Sequence, residues 1–134
     1  MIISGLLITG GLGGGVRLSS TELWSPGLTS SPVSCTLPPM TRPRSIHSLS
    51  GGLACGGLGD GAEDSCEVLT SVGWELLDSR LSEGRARHSA WLQPTTNTTF
   101  LIGGFYSSSR RSVDTVTTTG RVAQPDLTLK HDVR

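Results

Sequence analysis

A short apolar run that ends in two glycines occurs three times in this chain of 134 residues. The first glycines of the pairs are spaced by 46 and then 47 residues. A repeat of this size is one supersecondary unit, which cannot bury its apolar face without a neighbour. The sequence therefore predicts one domain built from a stack of similar units, which span about 1–43, 44–84 and 85–134. The pairs are Gly10 with Gly11, Gly56 with Gly57, and Gly103 with Gly104.

Two further sets of residues keep the register of the glycine pairs. About ten residues after each pair, an acidic residue is followed two positions later by a large apolar one. These positions are Glu22 with Trp24, Glu67 with Leu69 and Asp114 with Val116. Ahead of the second and third pairs, Arg44 aligns with Arg85, and His47 aligns with His88. The agreement of separate columns identifies the repeat as a structural unit rather than an accident of composition.

The local patterns inside each unit are typical of β-strands. Leu6–Thr9, Leu53–Cys55 and 99–102 are short runs that favour strands and are bounded by glycine, and 113–119 alternates in a β-branched stretch. We expect a tight turn at each glycine pair, where a Cβ would not be accommodated. Further turns are predicted where glycine, proline, asparagine and aspartate cluster, at 25–27, 59–61 and 94–97.

One segment also fits a short helix. Trp74, Leu77 and Leu81 recur at a helical spacing. The apolar part, "GWELL", is only five residues long, however, and it lies where the unit expects its last strand. We therefore predict a strand here. A unit of about 47 residues with four short strands has the size of a propeller blade.

These columns together resemble a kelch repeat. The similarity lies in Arg85 and His88, the run 100–104 with its double glycine, Asp114 with Val116, and the stretch 21–26, in which Trp24 stands where that family usually has tyrosine. Trp74 lies at the position of the family's closing tryptophan, which the first and third units lack. The resemblance implies an all-β fold, namely a kelch-type β-propeller segment of about three four-stranded antiparallel blades.

The expected ring is incomplete. The chain holds about 2.7 repeats, whereas propellers have four to eight blades. We expect a fragment, a truncated product, or a subunit that completes the propeller by self-association. The strand Leu6–Thr9 would then be an unprotected edge.

Nucleotide binding is the first alternative that the glycines raise. The stretch 57–62 fits the dinucleotide fingerprint G-x-G-x-x-[GA]. That fingerprint needs a helix whose N-terminus meets the pyrophosphate. Glu63, Asp64 and Glu67 follow instead, and their carboxylates would repel a phosphate. We predict no cofactor here.

A metal site is the second alternative. His47 and His88 occupy equivalent positions of successive units, too far apart to share one ion, and we expect each to bond within its own unit's turn. Copper oxidases built on kelch-like propellers need paired tyrosines, and this chain has only Tyr106. We therefore predict neither a metal site nor catalytic residues. The alternative is a fragment of an extracellular propeller enzyme, galactose-oxidase-like or glycan-processing, that lacks its catalytic residues.

The cysteines and one sequon bear on the compartment. Cys55 and Cys66 should oppose each other on adjacent antiparallel strands, within disulfide range, so a bridge between them is open. Asn97 begins an N-glycosylation sequon at a predicted turn. Both favour an extracellular setting, although no signal peptide is recognised in this chain. The compartment stays open.

The charge balance and the loops indicate the kind of partner. Eleven basic residues offset 11 acidic ones, which gives no reason to expect nucleic acid or an anionic membrane, and no stretch is long and apolar enough to span a membrane. The loops 12–19, 58–64 and 105–111 follow equivalent strands, so we expect them on one face. The resemblance implies a non-catalytic protein-protein interaction module that binds through these loops. The predicted contact residues are Phe105, Tyr106, Arg110 and Arg111.

Overall fold

The structure is a computed structural model that describes residues 5–25, 33–106, 108–117 and 119–133. All regular elements in these ranges are β-strands. They form three main antiparallel sheets and two small two-stranded hairpins. The predicted all-β class is therefore confirmed. No helix of the described residues is long and apolar enough to cross a membrane.

The first sheet lies within 1–43 and has the strand order β1-β4-β5. Its strands and the hairpin β2–β3 are β1 (Leu6–Thr9), β2 (Leu12–Gly13), β3 (Val16–Arg17), β4 (Thr21–Ser25) and β5 (Val33–Leu37). The predicted strand over β1 is confirmed. Among the described strands β1 pairs only with β4, so it is an edge. Most of the predicted turn at 25–27 lies outside the described residues.

The second sheet lies within 44–84 and has the order β11-β10-β7-β6. Its strands and the hairpin β8–β9 are β6 (Ser48–Ser50), β7 (Leu53–Cys55), β8 (Leu58–Gly59), β9 (Gly61–Ala62), β10 (Cys66–Thr70) and β11 (Gly73–Leu76). Trp74 lies on β11, so the strand prediction is confirmed and the helical spacing was misleading. The stretch 57–62 forms the hairpin β8–β9, and no helix follows it as a nucleotide fingerprint would require.

The third sheet lies within 85–134 and is centred on the order β12-β13-β15-β14. Strands β16 and β17 both pair with β15, whose first residues also form the hairpin with β14. The strands are β12 (Ser89–Gln93), β13 (Thr98–Ile102), β14 (Phe105–Tyr106), β15 (Ser108–Val116), β16 (Val122–Ala123) and β17 (Thr128–Val133). The strand predicted over 113–119 therefore starts earlier and ends at Val116.

The glycine pairs are bends rather than the tight turns that the sequence predicts. A tight turn would join two strands that pair with each other, yet the strands on either side of each glycine pair do not. Gly103 and Gly104, for example, lie between β13 and β14, and both of these strands pair with β15 instead. Each glycine pair therefore redirects the chain from a sheet strand into the hairpin that follows.

The core consists of two apolar clusters, one at each junction between sheets. Successive strand residues point to opposite faces, so Ala54 and Cys55 enter different clusters. The first cluster contains Met40, Ala54, Leu69 and Trp74, with Leu7, Leu37 and Leu49 packed on it. The second contains Cys55, Cys66, Leu81, Leu101 and Val116, with Leu53, Leu77, Ala90 and Val122 packed on it. The middle sheet is therefore covered on both faces.

The first and third sheets each bury one face and leave apolar side chains on the other. On β1, Leu7 packs inward, while Leu6 and Ile8 are 56% and 47% exposed. On β12, Ala90 packs inward and Trp91 is 53% exposed. The Trp91 ring contacts that of Phe100, with ring centroids 5.5 Å apart. We call the two sides marked by these residues the outer faces.

Candidate functional site

Arg44 is fully buried and ties the second glycine pair to the strand that follows it. Its Nη1 donates to the carbonyl oxygens of Gly56 and Ser65, both at 2.9 Å. Its Nη2 donates to Ser65 Oγ and to Glu67 Oε2, each at 2.9 Å. The acidic residue of the repeat is therefore the buried counter-ion of the arginine.

Arg85 makes the same Nη bonds one unit later, although its buried Nε has no partner among the described residues, whereas Arg44 Nε donates to Glu67 Oε2 at 3.1 Å. Its Nη1 donates to the carbonyl oxygens of Gly103 and Ser112 at 2.7 and 3.0 Å. Its Nη2 donates to Ser112 Oγ and Asp114 Oδ2, both at 2.8 Å. The sequence shows the arginine and acidic columns, but we did not predict that they pair. The two arginines stabilise the fold, and because both are fully buried they cannot contact a ligand.

The first two glycine pairs also join their sheets to the next unit. Gly11 N donates to the Arg44 carbonyl and Gly57 N donates to the Arg85 carbonyl, both at 2.8 Å. A Cβ at Gly56 would lie 2.5 Å from the Arg85 carbonyl oxygen, and Gly10 stands in the same relation to Arg44. Gly10 and Gly56, the first glycines of these two pairs, therefore approach the neighbouring backbone too closely for any side chain.

The third glycine pair makes its close contact inside its own unit. Gly104 has φ +110°, and a Cβ there would lie 2.7 Å from the Ala86 carbonyl oxygen. That carbonyl accepts a hydrogen bond from Phe105 N at 2.8 Å, which fixes the start of the third hairpin. All six residues of the three pairs have positive φ. Glycine satisfies both this conformation and the close approach.

The two histidines bridge adjacent units. His47 Nε2 lies 2.8 Å from Thr9 Oγ1, and His88 Nε2 lies 2.8 Å from Ser48 Oγ. The prediction that each bonds within its own unit's turn was wrong, because each reaches the preceding unit. Burial lowers the pKa of His88 to about 4, and the nearby Arg85 adds to this effect. Burial also lowers the pKa of His47, with a further contribution from Arg44.

Both imidazoles are therefore neutral at pH 7, and they act as hydrogen-bonding groups at the junctions. Among the described residues, no group of three His, Cys, Asp or Glu side chains could hold a metal ion.

Cys55 and Cys66 form a disulfide, which the sequence allowed but did not require. The two residues are directly opposed on β7 and β10, with Cα atoms 4.2 Å apart. Both side chains are fully buried in the second apolar cluster. Cys35 is free and exposed. The bridge strengthens the core and is inaccessible to a partner.

The three hairpins β2–β3, β8–β9 and β14–β15 make up what we call the hairpin face. Each follows a glycine pair directly, at the end of β1, β7 or β13. The strands that precede the hairpins share a direction within the repeat, so the hairpins leave the three sheets at the same end. The third hairpin packs on the second, because the Tyr106 hydroxyl lies 3.7 Å from the position that a Cβ would take at Gly61.

The predicted contact residues differ in solvent exposure and in the bonds that they already make within the chain. Tyr106 is 40% exposed, and Phe105 is half-buried. Arg110 donates to the Gly84 carbonyl at 3.3 Å and pairs with Glu83 at 3.2 Å. Arg111 donates to the carbonyls of Leu129 and Lys130. Both arginines therefore also bond within the third unit, and of the four residues Tyr106 and Arg111 are exposed.

A cleft of about 530 Å³ lies between the first and second hairpins. Arg17 and Asp60 line it, together with Arg42, which approaches from the linker before β6. The sequence predicts loops 12–19 and 58–64 on this face, but none of these three residues stands out in it. The sequence feature that could have identified Arg17 and Asp60 is their position in loops that follow equivalent strands.

Asn97 lies at the far end of the molecule from the hairpin face. It occupies the turn between β12 and β13 with φ +56°, and it is exposed. An exposed asparagine in a turn is sterically open to a glycan, and a glycan there would stay clear of the hairpins.

Comparisons with known proteins show the fold and nothing finer. No family model matches the chain, and no curated protein matches it. Among solved structures it is similar to one titled "Structure of YjhT", with a TM-score of 0.69 and 15% sequence identity. The match covers 90% of this chain and 42% of that one, so this chain spans less than half the length of the structure that it resembles.

Proposed function

We propose that this chain is a kelch-type partial propeller that binds another protein through its hairpin face and carries out no chemistry itself. The observation that carries the proposal is the repeated anchoring of the hairpins. Each hairpin follows a glycine pair, and the Arg44 and Arg85 guanidinium groups fix the second and third pairs by hydrogen bonds to Gly56 and Gly103.

Rigid anchoring matters for binding because ordering a loop on association costs free energy. Here the bases of the second and third hairpins are hydrogen-bonded to buried guanidinium groups. They are therefore already ordered in the folded chain, and binding needs to order little more. The hairpins themselves differ in sequence, with Val16, Ala62 and Ser109 at the equivalent position six residues after the first glycine of each pair. A constant scaffold with variable tips suits the recognition of a protein surface.

Self-association is a second part of the proposal, and the outer faces support it. The two junctions inside the chain are apolar contacts between sheet faces, and Leu6 with Ile8 and Trp91 with Phe100 offer comparable surfaces at either end. We propose that the outer face of the third sheet packs on the outer face of the first sheet in a second copy. This contact would continue the sequence of junctions around a ring.

Site-specific photo-crosslinking tests the binding face. A photoreactive phenylalanine analogue would replace Val16, Asp60 or Tyr106 on the hairpin face, and Val72 or Thr96 in turns at the opposite end. We expect one partner to crosslink from the hairpin positions, and the unlabelled chain to suppress the crosslink in competition. Equal crosslinking from both ends, or none from the hairpin positions, would contradict the proposal.

A further inference from the structure

We infer that the cleft between the first and second hairpins is a binding site for a peptide segment that carries an acidic side chain beside a basic one. This inference rests on the proposed function of the hairpin face and names the chemistry of the partner. The cleft volume of about 530 Å³ is within the range of ligand pockets in proteins.

The cleft is open because of one residue difference between repeats. Tyr106 stands three positions after Gly103, and its hydroxyl covers Gly61 at the junction of the second and third hairpins. The residue three positions after Gly56 is Gly59, which lines the cleft, and a Cβ there would lie 2.6 Å from Glu63 Oε1. With glycine at this position no ring reaches from the second hairpin to Gly15, the residue of the first hairpin that is equivalent to Gly61, and nothing lies within 4 Å of a Cβ at Gly15. The position equivalent to Gly61 is therefore covered at one junction and open at the other.

The charges of the cleft define what would fill it. Arg42 Nη1 and Glu63 Oε2 form an ion pair at 3.0 Å, and Glu63 Oε2 also accepts a hydrogen bond from Ser65 Oγ. The charges of Arg42 and Glu63 neutralise each other, so this pair does not need a charged ligand. Arg17 and Asp60 are different, because both are exposed and neither makes an ion pair among the described residues, so a ligand can exchange their hydration for ion pairs.

The two unpaired charges lie on different hairpins, Arg17 on β3 and Asp60 in the turn between β8 and β9. A ligand with a single charge would satisfy one and leave the other. A segment with a carboxylate for Arg17 and a cation for Asp60 satisfies both. Val16, which is 63% exposed, and Pro43 add an apolar surface between them for an aliphatic side chain.

The probe for the test is the capped tripeptide acetyl-Glu-Val-Lys-amide, with acetyl-Gln-Val-Gln-amide as its neutral match. Titration of the isotope-labelled chain, followed by amide chemical shifts in nuclear magnetic resonance, reports binding and location together. We expect the charged peptide to shift the amides of Arg17 and Asp60 and to bind more tightly than the neutral peptide. Arg17→Ala and Asp60→Ala should each weaken binding about threefold, as expected for one exposed ion pair.

Gly59→Tyr is the decisive variant, because it introduces at this junction the residue type that covers the next one, and the Glu63 carboxylate, 2.6 Å from the added Cβ, must move aside for it. We expect it to abolish binding, and its amide spectrum shows whether the chain remains folded. Arg121→Ala is the matched control, since this arginine lines a different pocket beside Gly120 and its loss should leave binding unchanged.

Three results would overturn the inference: no shifts in the cleft, equal binding of the neutral peptide, or full binding by folded Gly59→Tyr. If these occur while crosslinking still maps a partner to the hairpin face, only the cleft inference fails and the proposed function stands.

Discussion

Arg44 Nη2 and Glu67 Oε2 lie 2.9 Å apart, and neither side chain is exposed to solvent. Removing two charges from water is costly, and the attraction between them offsets the cost only when the remaining donors are also bonded. The other Arg44 donors meet this condition through Ser65 and the Gly56 carbonyl. The Arg85–Asp114 pair repeats the Nη contacts, with Nη2 and Oδ2 2.8 Å apart, but the buried Arg85 Nε has no partner among the described residues.

Arg44→Met should lower the free energy of unfolding by about 3–5 kcal/mol, because it leaves the Glu67 carboxylate buried without its counter-ion. Denaturant unfolding of the variant measures the loss. Arg80→Ala is the control, since Arg80 pairs with Asp64 at the surface and its loss should cost at most about 1 kcal/mol. Equal losses in the two variants would mean that the buried pair has no special role.

Gly56→Ala should be much more destabilising than Gly14→Ala. Both glycines have positive φ, of 67° and 56°, so each substitution carries a conformational penalty of about 1–2 kcal/mol. At Gly14 nothing lies within 4 Å of the added Cβ, whereas at Gly56 the Arg85 carbonyl oxygen lies at 2.5 Å. Overpacking adds about 1–3 kcal/mol at Gly56 alone. Thermal unfolding compares the two, and similar melting temperatures would contradict the close approach.

Removing the disulfide by the double change Cys55→Ala and Cys66→Ala should lower the free energy of unfolding by about 2–4 kcal/mol, chiefly because the unfolded chain gains freedom. Thiol labelling of the unfolded, unreduced protein should modify Cys35 alone. Labelling of all three cysteines under those conditions would show that the bridge does not form in the isolated chain.

The chain should lose stability as the pH falls from about 6.5 towards 4. The folded state holds the pKa of His88 at about 4, below its ordinary value of 6.5, so the unfolded chain binds the proton more readily across this interval. The contribution of His88 is fully present above pH 6.5, and about 3 kcal/mol of it is lost by pH 4. The lowered pKa of His47 acts in the same direction.

His88→Gln provides the comparison for the pH dependence, because its amide retains a hydrogen-bonding group for Ser48 but does not titrate. Unfolding free energies measured from pH 7 to pH 4 should fall less steeply for this variant. Parallel curves for the variant and the unaltered chain would show that His88 is not the group responsible.

The proposed self-association predicts that Trp91→Glu converts a dimer into a monomer, because it places a charge on the outer face of the third sheet. Light scattering coupled to size-exclusion chromatography measures the mass. Val72→Glu is the matched control, since Val72 is also exposed but lies in the turn between β10 and β11. An unaltered chain that is monomeric at every concentration would overturn the proposal.

The strand pattern was readable from the sequence because it depends on local chemistry. Glycine pairs end β1, β7 and β13 at the predicted places, since a positive φ is a property of the backbone at one residue. Cys55 and Cys66 were predicted to lie on adjacent antiparallel strands, and the structure places them directly opposite each other on β7 and β10. The helical spacing around Trp74 did not decide the prediction for this segment, because its position in the repeat already indicated a strand.

The contacts between units were harder to predict from the sequence. His47 and His88 share a column, but the column does not say whether a side chain turns towards its own unit or the preceding one. The sequence placed Arg110 and Arg111 in a hairpin loop, while their bonds to Glu83, Leu129 and Lys130 depend on chain segments brought close by folding.

The sequence by itself therefore determined the repeat, the all-β class and the glycines that end the strands, and it left the bridge between Cys55 and Cys66 open. Only the tertiary structure decided that Arg44 neutralises Glu67, that the histidines link neighbouring units, and that Tyr106 covers Gly61 while the equivalent Gly15 stays open. The physical reason is the range of the interactions. Turn and strand preferences act within a few residues, whereas burial and ion pairing depend on the faces that sheets present to one another.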